Sequence, residues 1–289
     1  MKAQGTMSNN QNLYQPKPML YETHMHTPLC KHAFGRPEEY AARAEKRQLK
    51  GITVTCHNPT EESWGPQYRM RLDQFEEYLA MVEQARQTWA GRVDVRLGLE
   101  SDYAPGMEPW LEKLHGMAEF NYILGSVHPD LPEYKARYFS GDIVAFQKTY
   151  FEHLAMAAES GLFDALSHPD LIKNSYPNDW QPDRLIDHIR ACLDRIAAAG
   201  TAMELNTSGL HKAIREMNPG LPILREMQQR HIPVVIGADA HKPERVAADF
   251  EDALGLLQEA GYSHVSFFLN RKRQDIDINQ ALRSLWQSA

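Results

Sequence analysis

Histidines and carboxylates that could bind metal ions recur along this chain of 289 residues. His24 and His26 are separated by one residue, and Asp239 and His241 repeat that spacing near the other end of the chain. Residues two apart in a β-strand point to the same side, so each pair could hold one ion. A single pair is weak support, because H-x-H occurs by chance and an isolated histidine at a strand end is more often a satisfied polar residue than a ligand.

The remaining candidates make the pattern specific. Each lies at or just after the carboxyl end of a strand that the sequence predicts, and in a parallel barrel these ends open onto one face where catalytic groups collect. The full set is His24, His26, His32, His57, Glu100, His128, His168, Asp239 and His241. Seven histidines and two carboxylates at six strand ends are hard to obtain by chance, so the sequence predicts a metal centre.

Nine ligands suffice for more than two ions, because zinc sites usually use three or four protein ligands. Three divalent ions with one bridging carboxylate fit best, and imidazole favours zinc, iron or manganese over magnesium. Three ions bring about +6 and the two carboxylates about −2, which suits a dianionic phosphate monoester. A water bridging two ions would ionise near neutral pH and attack phosphorus as hydroxide, so no nucleophilic side chain is required.

The elements that must position these residues alternate along the chain, as in βα units. Strands are predicted at Leu20–His24, Gly51–Cys56, Val93–Leu99, Tyr122–Val127, Ala165–His168, Ala202–Leu205 and Pro233–Gly237, with a weaker eighth at Val265–Leu269. Helices are predicted at Pro37–Leu49, Leu72–Trp89, Asp142–Ser160, Pro182–Ala199, Leu221–Arg230 and Arg245–Ala260, with Gly161, Gly200 and Gly261 ending three of them. Because no glycine-rich nucleotide turn follows the first strand, the series favours a TIM-like barrel over an open doubly wound sheet.

Composition sets the broad class. Residues 1–18 are polar and without periodicity, so we expect a disordered tail, followed by a single domain over residues 19–289. The net charge is −7 and the densest basic run, Arg271-Lys272-Arg273, is short, which argues against nucleic-acid binding. Neither a signal peptide nor an apolar run long enough to span a membrane is visible, so a cytoplasmic protein without a membrane partner is expected. Three scattered cysteines give neither a disulfide framework nor a thiolate zinc site.

The candidate ligands occur in segments that resemble the polymerase and histidinol phosphatase (PHP) family. The segments are Thr23-His24-Met25-His26-Thr27, Cys30-Lys31-His32, Thr55-Cys56-His57, Gly98-Leu99-Glu100, Gly125-Ser126-Val127-His128, Leu166-Ser167-His168-Pro169-Asp170 and Gly237-Ala238-Asp239-Ala240-His241. The resemblance implies a distorted (βα)7 barrel with a trinuclear site. The family pattern implies one ion on His24, His26, Glu100 and Asp239, a second on Glu100, His128 and His168, and a third on His32, His57 and His241.

Within that family the chain looks most like the histidinol-phosphatase branch. The resemblance lies in the segments Pro28–Ala33, Gly98–Tyr103 and Glu204–Leu210. It implies hydrolysis of L-histidinol phosphate to L-histidinol and phosphate. The chain departs from the family at Glu22, where relatives often have aspartate, and this change could alter ligand orientation.

Substrate contacts are less clearly indicated. Asn206 and His211 are candidate substrate contacts, although relatives tend to carry an arginine just after the segment that contains Asn206, where this chain has His211 and Lys212. Lys173 is the candidate phosphate clamp, although loop lysines are mostly solvated. Trp64 could line the pocket, although aromatic residues usually pack. The acidic residues Glu61, Glu62 and Asp102 could bind a cationic part of the substrate or stay solvated.

Three other functions remain open. One is a PHP phosphodiesterase or nucleotidase, which would share the metals and differ in its pocket. A second is an amidohydrolase-like enzyme that cleaves C–N bonds, but such sites commonly use two metals and often a carbamylated lysine, and no lysine ends a predicted strand. A third is a non-catalytic metal-binding PHP scaffold. The sequence does not indicate the oligomeric state or the metal.

Overall fold

A computed structural model describes residues 17–60 and 64–285. Most of the expected tail (residues 1–16) and the candidate residues Glu61 and Glu62 lie outside the described residues. The strands are β1 (Tyr21–Glu22), β2 (Gly51–Val54), β3 (Asp94–Asp102), β4 (Tyr122–Ser126), β5 (Ala165–Leu166), β6 (Ala202–Asn206), β7 (Val234–Gly237), β8 (His264–Leu269) and β9 (Lys272–Asp277). The α-helices are α1 (Pro37–Lys46), α2 (Phe75–Thr88), α3 (Glu108–His115), α4 (Pro132–Tyr138), α5 (Ile143–Glu159), α6 (Ile186–Ala199), α7 (Leu221–Gln229), α8 (Phe250–Ala260) and α9 (Ile278–Leu285).

The strands lie side by side in chain order. Strands β1 to β8 are parallel, and β9 returns antiparallel to β8. These named strands form a row rather than a closed ring, but an isolated parallel bridge joins Met25, just after β1, to Ala240, just after β7. The architecture confirms the predicted TIM-like α/β class, and the bridge brings the first and seventh strand ends together.

The β8–β9 hairpin packs against the ends of the strands opposite the metal centre. The Phe267 ring stacks on Tyr21 with a centroid separation of 4.8 Å, and Phe268 stacks on Tyr122 at 5.5 Å. The amide of Arg271, in the turn after β8, donates to the Asn121 carbonyl at 2.9 Å. The hairpin therefore contacts strands far from it in sequence, which single-strand periodicity does not indicate.

Several predicted boundaries were wrong for identifiable reasons. The fifth strand is shorter than predicted because His168 has a left-handed φ of 28°. The first helix ends before Leu49 because Gln48 has φ 54°. The third strand continues past Leu99, so Glu100 lies inside β3 rather than capping it. Helices α3, α4 and α9 and strand β9 were not predicted.

The helix ends predicted at glycines are confirmed for α6 and α8. Gly200 and Gly261 follow those helices with φ of 74° and 97°, a region that glycine enters at little cost. No helix in the described residues is long and apolar enough to cross a membrane.

Candidate metal centre

Glu100 lies at the middle of the histidine cluster and is almost completely buried. Its Oε1 atom is 3.4 Å from Nε2 of His24, 3.4 Å from Nε2 of His128 and 3.2 Å from Nε2 of His168. Its Oε2 atom is 2.7 Å from Nδ1 of His57. One carboxylate therefore faces imidazoles from the ends of four other strands.

A second carboxylate closes the cluster on the side of the β1–β7 bridge. Asp239 Oδ1 lies 3.1 Å from Nε2 of His26 and 3.6 Å from Nε2 of His24. Nε2 of His26 is also 3.6 Å from Glu100 Oε2. The structure thus groups His24, His26, Glu100 and Asp239, the four residues that the resemblance assigns to one ion. Asp239 has a left-handed φ of 51°, which is strained for a residue with a side chain.

His32, His57 and His241, the set that the resemblance assigns to a third ion, stack beside this group. The rings of His26 and His241 lie with centroids 4.0 Å apart, and those of His32 and His57 lie 5.5 Å apart. Nε2 of His32 and Nε2 of His241 are 2.8 Å apart. The structure therefore brings all nine candidate ligands into one continuous cluster.

The hydrogen bonds made by the Nδ1 atoms of His32 and His241 show whether the Nε2 atoms of these rings are free to bind a metal ion. Nδ1 of His32 donates to the Cys30 carbonyl at 2.8 Å, and Nδ1 of His241 donates to the Asp239 carbonyl at 2.9 Å. If both rings are neutral, both Nε2 lone pairs point at each other across 2.8 Å. That arrangement is repulsive without a cation, and it is the donor set that a divalent ion requires.

Unsatisfied buried atoms support the same fit. Among the described residues, Nε2 of His24, Nδ1 of His57 and Oε2 of Glu100 are buried without a hydrogen-bond partner of good geometry. Such groups are costly in a protein interior unless something binds them. The donors are imidazole and carboxylate, a set that suits zinc, iron or manganese.

The protonation of the metal-free cluster is uneven. Burial alone would lower the pKa of His128, but Asp102 and Glu100 raise it to about 9. Burial lowers the pKa of His57 well below its usual value and that of His241 to about 3. Burial opposes ionisation of Glu100 as well, yet the surrounding imidazoles hold its pKa well below the usual range. Part of the centre is thus ready to bind a cation, and part must release a proton first.

Glu204 of β6 orients two ligands and was missed from the sequence. Its Oε1 accepts from Nδ1 of His24 at 2.8 Å, and its Oε2 accepts from the backbone amide of His168 at 2.9 Å. A Cβ atom on Gly237 would lie 2.1 Å from Glu204 Oε1 and 2.5 Å from Cβ of His24. Glycine is therefore required at the end of β7. Glu204 lies two residues before Asn206, and residues two apart in a strand point to the same face. Its place in the predicted strand could therefore have identified it as a residue of the site.

Asp102, at the end of β3, orients another ligand. Its Oδ1 accepts from Nδ1 of His128 at 2.6 Å, and its Oδ2 accepts from Nε1 of Trp64 at 3.0 Å. Arg69 also donates to Oδ2, and its Nε donates to the Trp64 carbonyl at 2.9 Å. These partners hold the pKa of Asp102 well below its usual range against the opposing effect of burial. Asp102 is therefore buried and paired rather than solvated.

Glu22, the departure from the family pattern, acts on the backbone. Its Oε1 accepts from the amides of His24 at 3.1 Å and Ala238 at 2.9 Å, and its Oε2 accepts from the amide of Ala247 at 2.8 Å. Burial raises the pKa of its carboxyl to about 7. Glu22 fixes the chain after β1 and after β7 and contacts no ligand ring in these hydrogen bonds.

A cavity of about 400 Å³ opens above the cluster. Its lining includes seven of the nine candidate ligands, all except His24 and His26. The other lining residues are Tyr68, Arg69, Asp130, Leu131, Leu171, Asn174, Lys212 and Ala213. The Nζ atom of Lys212 lies 3.8 Å from Asp239 Oδ2. Lys212 is therefore a positively charged residue of the cavity lining, and it was not among the substrate contacts predicted from the sequence.

The four predicted substrate contacts do not line this cavity. Lys173 is completely buried, with Nζ 3.1 Å from Asp170 Oδ2, so its expected role as a phosphate clamp is corrected to a structural one. Trp64 is buried against Asp102. Asn206 is buried and donates to Glu204 at 3.0 Å. His211 is exposed and lies 3.3 Å from Asp249. Three of these side chains thus point toward buried acids, and the fourth points toward an acid at the surface.

A family model and curated relatives identify the family of this chain. The PHP domain profile matches residues 22–208. A "probable histidinol-phosphatase" of Deinococcus radiodurans is 40% identical over 261 residues, which cover 88% of this chain and 98% of that protein. The histidinol-phosphatase of Bacillus subtilis is 26% identical over 79% of this chain and 96% of that protein.

A solved structure shares the fold. The crystal structure of histidinol phosphate phosphatase from Lactococcus lactis, complexed with zinc, L-histidinol and phosphate, superposes with a TM-score of 0.75. It is 16% identical in sequence and covers 89% of this chain and 99% of that chain. At this identity the likeness shows a common fold.

Proposed function

The chain belongs to the PHP domain family, and from this premise we propose that it is a metal-dependent phosphatase that hydrolyses L-histidinol phosphate to L-histidinol and phosphate. The observation that carries the proposal is the cluster of seven histidines and two carboxylates at the floor of a cavity of about 400 Å³. The 40% identical relative and the zinc, L-histidinol and phosphate of the structural neighbour support the substrate.

We further propose that the centre holds three divalent ions of zinc, iron or manganese. The three ligand sets are those that the resemblance implies, with Glu100 shared between two of them. When bound, the ions would supply Lewis-acid stabilisation of the phosphate oxygens and a water of lowered pKa.

The protein's own residues prepare the site for this chemistry. Glu204 and Asp102 accept hydrogen bonds from the Nδ1 atoms of His24 and His128, so the Nε2 lone pairs of those rings face the cavity floor. Lys212 adds a positive charge at the β6 side of the wall. A dianionic phosphate that enters this cavity therefore meets groups already held in place before it arrives.

The test is phosphate release by protein whose bound metal ions have been counted. We expect L-histidinol phosphate to be hydrolysed with a catalytic efficiency far above that for 4-nitrophenyl phosphate, a nucleoside monophosphate or a phosphodiester. Preference for a diester or nucleotide would overturn the assignment of the substrate, and two ions per chain would favour an amidohydrolase-like reaction.

Substitution separates catalysis from contamination. Glu100→Gln removes the carboxylate shared between two ligand sets and should abolish both metal loading and phosphate release. Glu119→Gln, at an exposed position outside the cluster, should change neither. If Glu100→Gln lost its metal but kept the wild-type hydrolysis rate, the chain would be a metal-binding scaffold rather than the enzyme.

A further inference from the structure

The cavity above the metal centre has a second wall with different chemistry. This wall comes from the stretches after β4 and β5 and from the loop before α2, and its lining residues are Tyr68, Asp130, Leu131, Leu171 and Asn174. The exposed ring of Tyr68 stands edge-on to His32 at 5.5 Å. Apart from Asp130, the wall offers aromatic, aliphatic and amide groups, so its only formal charge is the Asp130 carboxylate.

The charged side chains that line the cavity differ in whether they already have a partner or a metal-binding role. Three carboxylates line it, and Glu100 and Asp239 both belong to the candidate metal centre. The two cations of the lining are Arg69, which is fully buried against Asp102, and Lys212, which lies beside Asp239. Asp130 is therefore the carboxylate of the described lining that no ligand set and no lining cation uses.

Asp130 is held in place by groups outside the cavity. The hydroxyl of Ser175 donates to its Oδ1 at 2.7 Å, and Nζ of Lys135 lies 3.2 Å from the same oxygen. The Lys135 and Asp130 side chains are 36% and 55% exposed, and exposed pairs of this kind contribute little energy. Oδ2 has no protein partner in these contacts. The carboxylate is thus oriented by Ser175 yet can bind another cation.

We propose that Asp130 binds the protonated amino group of the substrate, so that the site selects phosphate monoesters that also carry an ammonium group. This inference rests on the proposed function and specifies its substrate class. The phosphate would bind at the metal centre near Lys212, and the ammonium would bind at the wall that carries Asp130. A zwitterionic ester matches both ends, whereas a simple aryl phosphate matches only the floor.

The experiment compares two esters that differ only in the amino group. The substrates are L-histidinol phosphate and its analogue with hydrogen in place of the amine. In the metal-loaded enzyme Asp130→Asn should lower kcat/KM for L-histidinol phosphate by about 10- to 100-fold, the range for one charge-assisted hydrogen bond, chiefly through KM. The analogue should be hydrolysed by the variant at the wild-type efficiency.

Two further variants distinguish binding from structure. Asp179→Asn removes an exposed carboxylate in the same stretch after β5 that does not line the cavity, and it should leave both substrates unaffected. Lys135→Met removes the competing cation and should leave KM for L-histidinol phosphate unchanged or lower it. A loss in Lys135→Met as large as that in Asp130→Asn would overturn the inference, because Asp130 would then act only by holding Lys135.

The outcomes separate this inference from the function on which it rests. Equal losses on both esters in Asp130→Asn, or no loss on either, would overturn the ammonium site and leave the phosphatase standing. Wild-type enzyme that did not distinguish the two esters would do the same. If metal-loaded protein hydrolysed no phosphate ester at all, both the proposed function and the inference would be overturned.

Discussion

Replacing Lys173 with methionine should destabilise the protein without removing a substrate contact. Lys173 is completely buried, with Nζ 3.1 Å from Asp170 Oδ2 and donating to the Met217 carbonyl at 2.8 Å. The hydrogen bond to Met217 ties the turn after β5 to the stretch before α7. Methionine retains most of the volume but leaves Asp170 without its buried countercharge.

The size of the effect follows from what remains around Asp170. Breaking a buried ion pair by removing one partner typically costs about 3–5 kcal/mol. Asp170 would still accept from Nδ2 of Asn218 at 2.5 Å and from the amide of Gly220 at 2.9 Å. Because these donors stabilise the remaining carboxylate, we expect the lower end, about 3 kcal/mol off the free energy of unfolding.

The assay is urea unfolding at a fixed metal concentration, because bound metal itself stabilises the folded state. Lys135→Met is the matched control, since its pair with Asp130 is on the surface and should be worth only about 0–1 kcal/mol. Adding Asp170→Asn to Lys173→Met should recover part of the loss. Wild-type stability in Lys173→Met together with a raised KM for L-histidinol phosphate would refute this reasoning and restore the lysine as a phosphate contact.

Four other outcomes are expected. Glu204→Gln should weaken metal binding by about 10- to 100-fold, and unchanged affinity in a metal titration would contradict the orienting role. Gly237→Ala should lower the free energy of unfolding by about 1–3 kcal/mol because of the clash at Glu204; Gly255→Ala, whose Cβ would meet nothing within 4 Å, is its control and should not destabilise. Chelation of the metals should lower the Tm, and an unchanged Tm would argue against a preformed site. Burial lowers the pKa of His153 from 6.5 to about 4, so its contribution to stability is present above pH 6.5 and falls by about 3 kcal/mol as the pH drops toward 4; His153→Gln should show a flatter pH dependence of unfolding over that range.

The sequence predicted which residues cluster at the site better than it predicted the strand ends and side chains around them. The nine candidate ligands lie together because parallel strands place their carboxyl ends on one face, a rule that needs only the order of the strands. Whether they bind metal as assigned remains a prediction. The strand ends themselves were misplaced by a few residues, since left-handed residues such as His168 stop a strand in ways that periodicity does not show.

Side-chain direction outside the strands was not predictable in the same way. Trp64 lies in an irregular segment and Lys173 lies in a single turn of 3-10 helix, and neither is long enough for a sequence period to fix which way the side chain points. Their directions follow from buried acids, Asp170 and Asp102, whose own burial depends on contacts distant in sequence. Glu204 differs, because its strand position did define its direction and its orienting role could have been inferred.

The bridge between the first and seventh strand ends has a consequence for how the molecule opens. Two backbone hydrogen bonds close it, from the His26 amide to Ala240 at 2.9 Å and from the Ala240 amide to His24 at 3.0 Å. Ligands of one proposed ion, His24 and His26 on one side and Asp239 on the other, span the same bridge. Stripping the metal should therefore speed deuterium uptake at the His26 and Ala240 amides before it affects the interior of β4, so the bridge would part as a local opening ahead of global unfolding.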